Sequence, residues 1–195
     1  MIKRIAVYCG SSVGDEEIYT SEALALVRAM HARGYGIVYG GGNVGIMGVI
    51  AEEMLKLGGE IIGVIPKKLM DKEVGHTGLT QMFVVDDMHQ RKAKMFELCD
   101  AVIALPGGIG TMEELFEAYT WSQLAFHDKP CGVLNVNGFY TPLNDMLQHM
   151  VNHKFLKQVF KDMLLFDTNI ESLLNRLEIF EFPATLKWQE LKQTS

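Results

Sequence analysis

At 195 residues the chain suits one domain of roughly 150 residues with a short extension, long enough to bury about 70% of its unfolded surface without disulfides or metal. Hydrophobic residues make up 48% and charged residues 22%, as in an ordinary globular protein, and 18 Lys+Arg against 24 Asp+Glu leave a formal charge of −6. That balance argues against nucleic acid as a partner but leaves small anions open, since a few N–H groups and one arginine can hold a phosphate.

Strands and helices alternate along the chain. Ile5–Cys9 reads as a strand, Glu16–Arg33 as a helix closed by Gly34, Gly36–Tyr39 as a strand, and Gly45–Leu57 as a helix closed by Gly58-Gly59. Ile61–Ile65 and Met82–Val85 are the next strands, and Asp86-Asp87 supplies N-cap candidates for a helix over Met88–Cys99. Ala101–Leu105 is a strand, Thr111–Phe126 a helix ending ahead of Pro130, and Cys131–Val136 a strand. A helix over Pro142–His153 has Thr141 as N-cap and proline at N1; Met163–Phe166 is a weaker strand, and Thr168-Asn169 precedes a last helix over Ile170–Phe180. The strands are rich in Val and Ile and lack polar alternation, the mark of a parallel sheet buried on both faces. The expected fold class is α/β: a doubly wound parallel sheet with helices on both faces, in a single domain over residues 1–182 followed by a tail, 183–195. Ligands on such sheets sit beyond the carboxyl ends of the strands.

Cys9, Cys99 and Cys131 contain no C-x-x-C pair, no secretory apolar segment follows Met1, and no run reaches the ~18 apolar residues of a membrane span. A cytoplasmic protein with no membrane partner is expected.

Three strand ends carry glycine, each ahead of a helix: Cys9-Gly10-Ser11-Ser12, Gly40-Gly41-Gly42-Asn43-Val44-Gly45, and Pro106-Gly107-Gly108-Ile109-Gly110-Thr111. Glycine lets a ligand approach backbone N–H groups, and the helix start adds partial positive charge. One such loop is often only a tight connection; three on one sheet edge point to a phosphate site. Gly40-x-Gly42-x-x-Gly45 matches the dinucleotide fingerprint formally, but it follows the second strand, and the nearest acid at suitable spacing, Glu60, would start the next strand where a ribose-binding acid should end one. NAD is discounted, and no G-x-x-x-x-G-K-[ST] occurs. The site reads as one for a mononucleotide or a sugar phosphate.

Arg91 shares an apolar helical stripe with Met88 and Met95, so it must find a partner: an ion pair, or a phosphate or ribose of a ligand. Glu113 and Glu114 suit the start of a helix electrostatically, yet a phosphate there repels them, so at least one is expected to face the substrate. Thr120, two turns on from Glu113, either lines the pocket or fills the core. The histidines lack metal-ligand spacing, His149 and His153 read as ordinary helix positions, and the 12 methionines read as core filler. No metal and no cofactor is expected. No base can be named for Cys9, so nucleophilic catalysis is unsupported.

Pro106-Gly107-Gly108-Ile109-Gly110-Thr111-Met112-Glu113-Glu114 resembles the P-G-G-x-G-T-x-x-E signature of the LONELY GUY (LOG) family, cytokinin riboside 5′-monophosphate phosphoribohydrolases often mislabelled as lysine decarboxylases. The blocks around Gly10, Gly40–Gly48 and Asp87–Lys92 are similar to the family's others, in the same order, over about residues 2 to 180. The resemblance implies a Rossmann-like homodimer with its active site near the interface, hydrolysing a nucleoside 5′-monophosphate, AMP or an N6-modified relative, to free base and ribose 5-phosphate. It implies Arg91 and Glu114 as catalytic residues, and Glu73, Lys92, Gly107, Gly108, Gly110, Thr111, Glu113 and Thr120 as substrate contacts, with Ser11, Gly41 and Gly42 from the first two glycine loops. Lys67–Gln81 departs from the plant pattern, which bears on base specificity. The alternative is a non-catalytic nucleotide-sensing or carrier module. A pyridoxal-phosphate decarboxylase would need a Schiff-base lysine, and no lysine here has a persuasive context.

Overall fold

The computed structural model of the chain describes residues 1–73 and 75–183, without the side chains of residues 71–73. The expected tail, apart from residue 183, lies outside the described residues. The elements run β1 (Arg4–Tyr8), α1 (Glu17–Ala32), β2 (Gly36–Tyr39), α2 (Gly45–Lys56), β3 (Ile61–Pro66), α3 (Lys67–Glu73), β4 (Gln81–Val85) and α4 (Met88–Leu98). They continue with β5 (Ala101–Ala104), α5 (Ile109–Gln123), β6 (Cys131–Leu134), α6 (Thr141–Asn152), α7 (Gln158–Lys161), β7 (Leu164–Asp167) and α8 (Ile170–Glu178).

Seven strands, all parallel among the described residues, form one sheet in the order β4-β3-β2-β1-β5-β6-β7. The chain winds outward from β1 in one direction and then, after β4, crosses back to β5 and winds the other way. β1 and β5 are therefore the switch point, with Ile5 opposite both Ile37 and Ala101. This is the doubly wound α/β architecture expected from the strand and helix alternation. Both faces are covered. Leu26, Met30, Ile50, Met54 and Leu173 of α1, α2 and α8 bury one face, and Met95, Leu115, Ala118 and Leu147 of α4, α5 and α6 bury the other. Each of these buried Leu, Ile and Met side chains contributes about 1.5–3 kcal/mol.

The local signals mostly place the elements to within two residues. Asp87 caps α4, its carboxylate accepting from Gln90 N at 2.8 Å, and Asn169 caps α8 by accepting from Ser172 N at 2.9 Å. Three expectations change. β6 stops at Leu134, because Asn137 (φ 48°) and Gly138 (φ 75°) fold Val136–Gly138 into a 3₁₀ turn. Tyr140, not Thr141, occupies the cap of α6; the Thr141 hydroxyl instead accepts from Asn135 Nδ2. The helices α3 and α7 are additional: seven and four residues are too short to show a periodic pattern.

Candidate active site

The first loop, after β1, and the loop after β5 meet at the switch point without side chains between them. Gly10 N donates to Pro106 O at 3.2 Å, and a Cβ on Gly107 would lie 2.2 Å from Thr111 Oγ1 and 2.8 Å from Gly10 N. The start of α2 closes on the same loop: a Cβ on Gly45 (φ 59°) would lie 2.2 Å from the Ser11 carbonyl carbon. Ile46 N and Met47 N donate to Ser12 O and Gly10 O. Two of the N–H groups at the start of α2 are thus committed to the first loop.

The start of α5 is built differently. Its cap is Gly108, with no side-chain capping bond. A Cβ on Gly108 or Gly110 would meet nothing within 4 Å. Internal packing therefore requires glycine at 107 and leaves open space at 108 and 110. Open space over the free N–H groups of a helix start is what an anion needs.

Behind this helix start stand two opposite charges. Arg91 Nη2 of α4 lies 3.5 Å from Glu114 Oε1 of α5, and the two side chains are only 8% and 10% exposed. Arg91 is buried because its stripe mate Met95 packs into the core and brings that side of α4 toward the sheet, while Met88, at the start of the helix, stays 40% exposed. Gly40 makes room for it, since a Cβ there would be 2.0 Å from Arg91 Nη2. Arg91 Nη1 has Met88 Sδ at 3.8 Å, and Arg91 Nε has no hydrogen-bond partner among the described residues. The expectation that this arginine needs a partner is answered by Glu114.

These groups enclose a cleft of about 230 Å³, lined by Cys9, Gly10, Ser11, Met47, Met88, Arg91, Gly108, Ile109, Gly110, Thr111, Glu113 and Glu114. It contains seven of the thirteen residues expected at the site. Gly107 lines an adjoining cavity of about 210 Å³, more apolar, which shares Gly10, Ser11 and Gly108 with the cleft and is walled by Tyr19 and Phe139. Gly41 and Gly42 line neither cavity: Gly41 O accepts from His76 N, and Gly42 bridges to Gly75. Lys92 turns away from the cleft to Glu113 and Glu117. Thr120 is exposed and lines neither cavity. Glu73 ends α3, and its side chain lies outside the described residues.

Two of the methionines expected as core filler also line the cleft: Met47, which belongs to the core as well, and Met88, which is exposed; their places near the starts of α2 and α4 were the available signal. Sequence reasoning missed Glu117, which lies one turn beyond Glu113 on α5. Cys9 forms part of the floor, but burial pushes its thiol far above the ordinary range, and Glu114 adds to the effect, so it is no thiolate near neutrality. Glu60, the acid of the formal dinucleotide fingerprint, precedes β3 at the opposite edge of the sheet and is bound by Arg4 at 2.7 Å. Among the described residues no group of three His, Cys, Asp or Glu could hold a metal ion, and no helix is long and apolar enough to cross a membrane.

Residues 47–177 match the family model described as "Possible lysine decarboxylase". Cytokinin riboside 5′-monophosphate phosphoribohydrolase LOG1 of Arabidopsis thaliana is 41% identical over 195 residues, covering 98% of this chain and 92% of the relative. Cytokinin riboside 5′-monophosphate phosphoribohydrolase LOG of Oryza sativa subsp. japonica is 40% identical over 190 residues, covering 96% and 78%. Among solved structures, a molybdenum cofactor binding protein from the phototrophic bacterium Rippkaea orientalis superposes with a TM-score of 0.68 over 91% of this chain and 96% of that one. At 20% identity that likeness is one of fold. The match over residues 47–177 and this identity along nearly the whole chain place the protein in the LOG family, the relatives of the cytokinin riboside 5′-monophosphate phosphoribohydrolases.

Proposed function

We propose that the cleft hydrolyses the N-glycosidic bond of a nucleoside 5′-monophosphate, AMP or an N6-modified adenine ribotide, to free base and ribose 5-phosphate. The observation that carries this reading is the open start of α5 above a buried arginine–carboxylate pair. Phosphate binds at the N–H groups around Gly108 and Gly110. Its binding energy positions the ribose, although the phosphate is remote from the bond broken. As C1′–N9 breaks, the electron pair leaves with the base and positive charge grows on the ribose ring. The Glu114 carboxylate stabilises that charge and takes a proton from the water whose oxygen joins C1′, as carboxylates do in glycosidases, and a proton from solvent neutralises the departing base, so that Glu114 is restored when its own proton returns to solvent. Arg91 forks onto substrate oxygens. No cofactor enters this scheme.

The working unit is a homodimer in this proposal. Ile109 at the cleft rim is 85% exposed and Phe126 just beyond α5 is 69% exposed, with Phe116, Trp121 and Leu124 only partly covered between them. That is more apolar surface than one sheet contact needs, and a second copy is the occupant proposed for it. Light scattering giving a stable monomer near 22 kDa would remove the dimer. Three buried, unpaired thiols, Cys9, Cys99 and Cys131, suit a reducing cytoplasm.

The test is incubation of purified protein with AMP, other nucleoside monophosphates and N6-substituted ribotides, following free base by chromatography. Base release supports the reading. Nucleotide binding with no base release overturns it in favour of a carrier or sensor.

A further inference from the structure

Lys92 is a buried ammonium beside the reacting pair, yet it does not face the cleft. Its side chain is 10% exposed, and Nζ is held by Glu113 Oε1 at 2.5 Å and by Glu117 Oε2. Both carboxylates belong to α5, one helical turn apart, whereas Lys92 belongs to α4 and directly follows Arg91. α4 and α5 are thus joined by two adjacent charged rungs, Arg91–Glu114 and Lys92–Glu113/Glu117. The second rung lies directly behind the first: Tyr8, Lys92, Phe96, Glu114, Glu117 and Trp121 wall one small void.

We propose that Lys92 and Glu117 are positioning residues, a buried ion-pair rung that fixes the spacing of α4 and α5 and so sets Arg91 and Glu114 face to face. This inference rests on the ribohydrolase reading. Its physical basis is desolvation. An ammonium withdrawn from water is tolerated only with opposite charge and hydrogen bonds close by, so its contacts are short and directional. Carboxylates one turn apart on a helix repel, and Glu113, Glu114 and Glu117 crowd three into five residues. Lys92 stands between two of them and lessens their repulsion, and Arg91 faces the third. With two of its three N–H donors taken by carboxylates of α5, Lys92 acts on the chemistry through geometry. Glu117 lies outside the cleft and reaches substrate only through this rung.

The test compares Glu117→Ala, Glu117→Gln, Glu114→Gln and the double variant Glu117→Ala/Glu114→Gln with the wild type, using AMP hydrolysis well below each variant's Tm. Glu117→Ala should lower kcat by about ten- to a hundredfold, the cost of a misplacement near 1 Å, while KM stays within about threefold. Glu117→Gln keeps an acceptor for Lys92 and should recover most of kcat. Because Glu117 acts through Glu114, the double variant should be no slower than Glu114→Gln alone. Wild-type kcat in Glu117→Ala with only a lower Tm makes the rung purely structural and overturns the proposal. A loss expressed in KM alone, or one that multiplies on the Glu114→Gln background, also overturns it. A crystal structure of Glu117→Ala separates this inference from the reading it rests on. If wild-type protein releases no base, the hydrolase reading fails, and the rung is then judged by whether the Arg91–Glu114 separation departs from 3.5 Å. An unchanged separation overturns it.

Discussion

Glu114→Gln is the most informative single change, because it keeps the shape of the cleft floor and removes one charge. The carboxylate lies 3.5 Å from Arg91 Nη2, with both side chains nearly out of water. Opposite unit charges at that distance attract by about 5 kcal/mol at an effective dielectric near 20. A transition state carries only part of a unit charge on the ribose, and Arg91 opposes it. The expected loss is therefore about 3–4 kcal/mol, or two to three decades in kcat, similar to removing one oxyanion-hole donor. Nucleotide affinity should change little, since the charge being stabilised is absent from the ground state. Folding should weaken as well. Leaving Arg91 buried opposite a neutral amide costs less than the ~3–5 kcal/mol of a pair broken outright. At ~2–4 °C per kcal/mol that is a Tm decrease below about 15 °C. The assay is base release from AMP under single-turnover conditions, with affinity from calorimetry on the same preparation. Turnover within a few-fold of wild type would refute the reasoning, reduce Glu114 to a helix-start residue and move attention to Glu113.

Arg91→Ala should differ in kind: a fork onto substrate oxygens acts in the ground state too, so affinity and kcat should both fall, measured by the same pair of assays. The glycines of the α5 start should separate by role. Gly107→Ala should lower Tm because its Cβ would press on Thr111 and Gly10, whereas Gly110→Ala should leave Tm unchanged or raised while weakening the AMP-induced thermal shift. Finally, burial holds the His127 imidazole below its ordinary value, partly countered by its bond to Ala118 O. The unfolded chain then binds the extra proton first, so this contribution is present above about pH 6.5 and lost as pH falls. Tm should drop between pH 7 and 5, and His127→Gln should flatten that slope; equal slopes would contradict it.

The fold is legible in the chain because its causes are local or periodic. Apolar strands without alternation need both faces covered, and glycines at 34 and 58 (φ 73° and 75°) mark helix ends through their own backbone freedom. Asp87 and Asn169 cap the residues immediately after them. The signature from Pro106 to Glu114 lies in one continuous stretch, so the start of α5 and its two acids can be recognised from residue order alone. Pairings between distant segments cannot. Whether Arg91 meets Glu114, 23 positions away, depends on the crossover from β4 to β5 that brings α4 beside α5. The same crossover turns Lys92 to Glu113 and Glu117 rather than to the cleft. Chain composition also cannot distinguish a glycine required by packing from one that leaves room for a ligand. Gly40 and Gly107 are crowded by Arg91 and Thr111, while Gly108 and Gly110 face open space. Backbone preference and hydrophobic period are enough to lay the elements out along the chain, whereas which charges face each other is set by how the helices settle on the sheet.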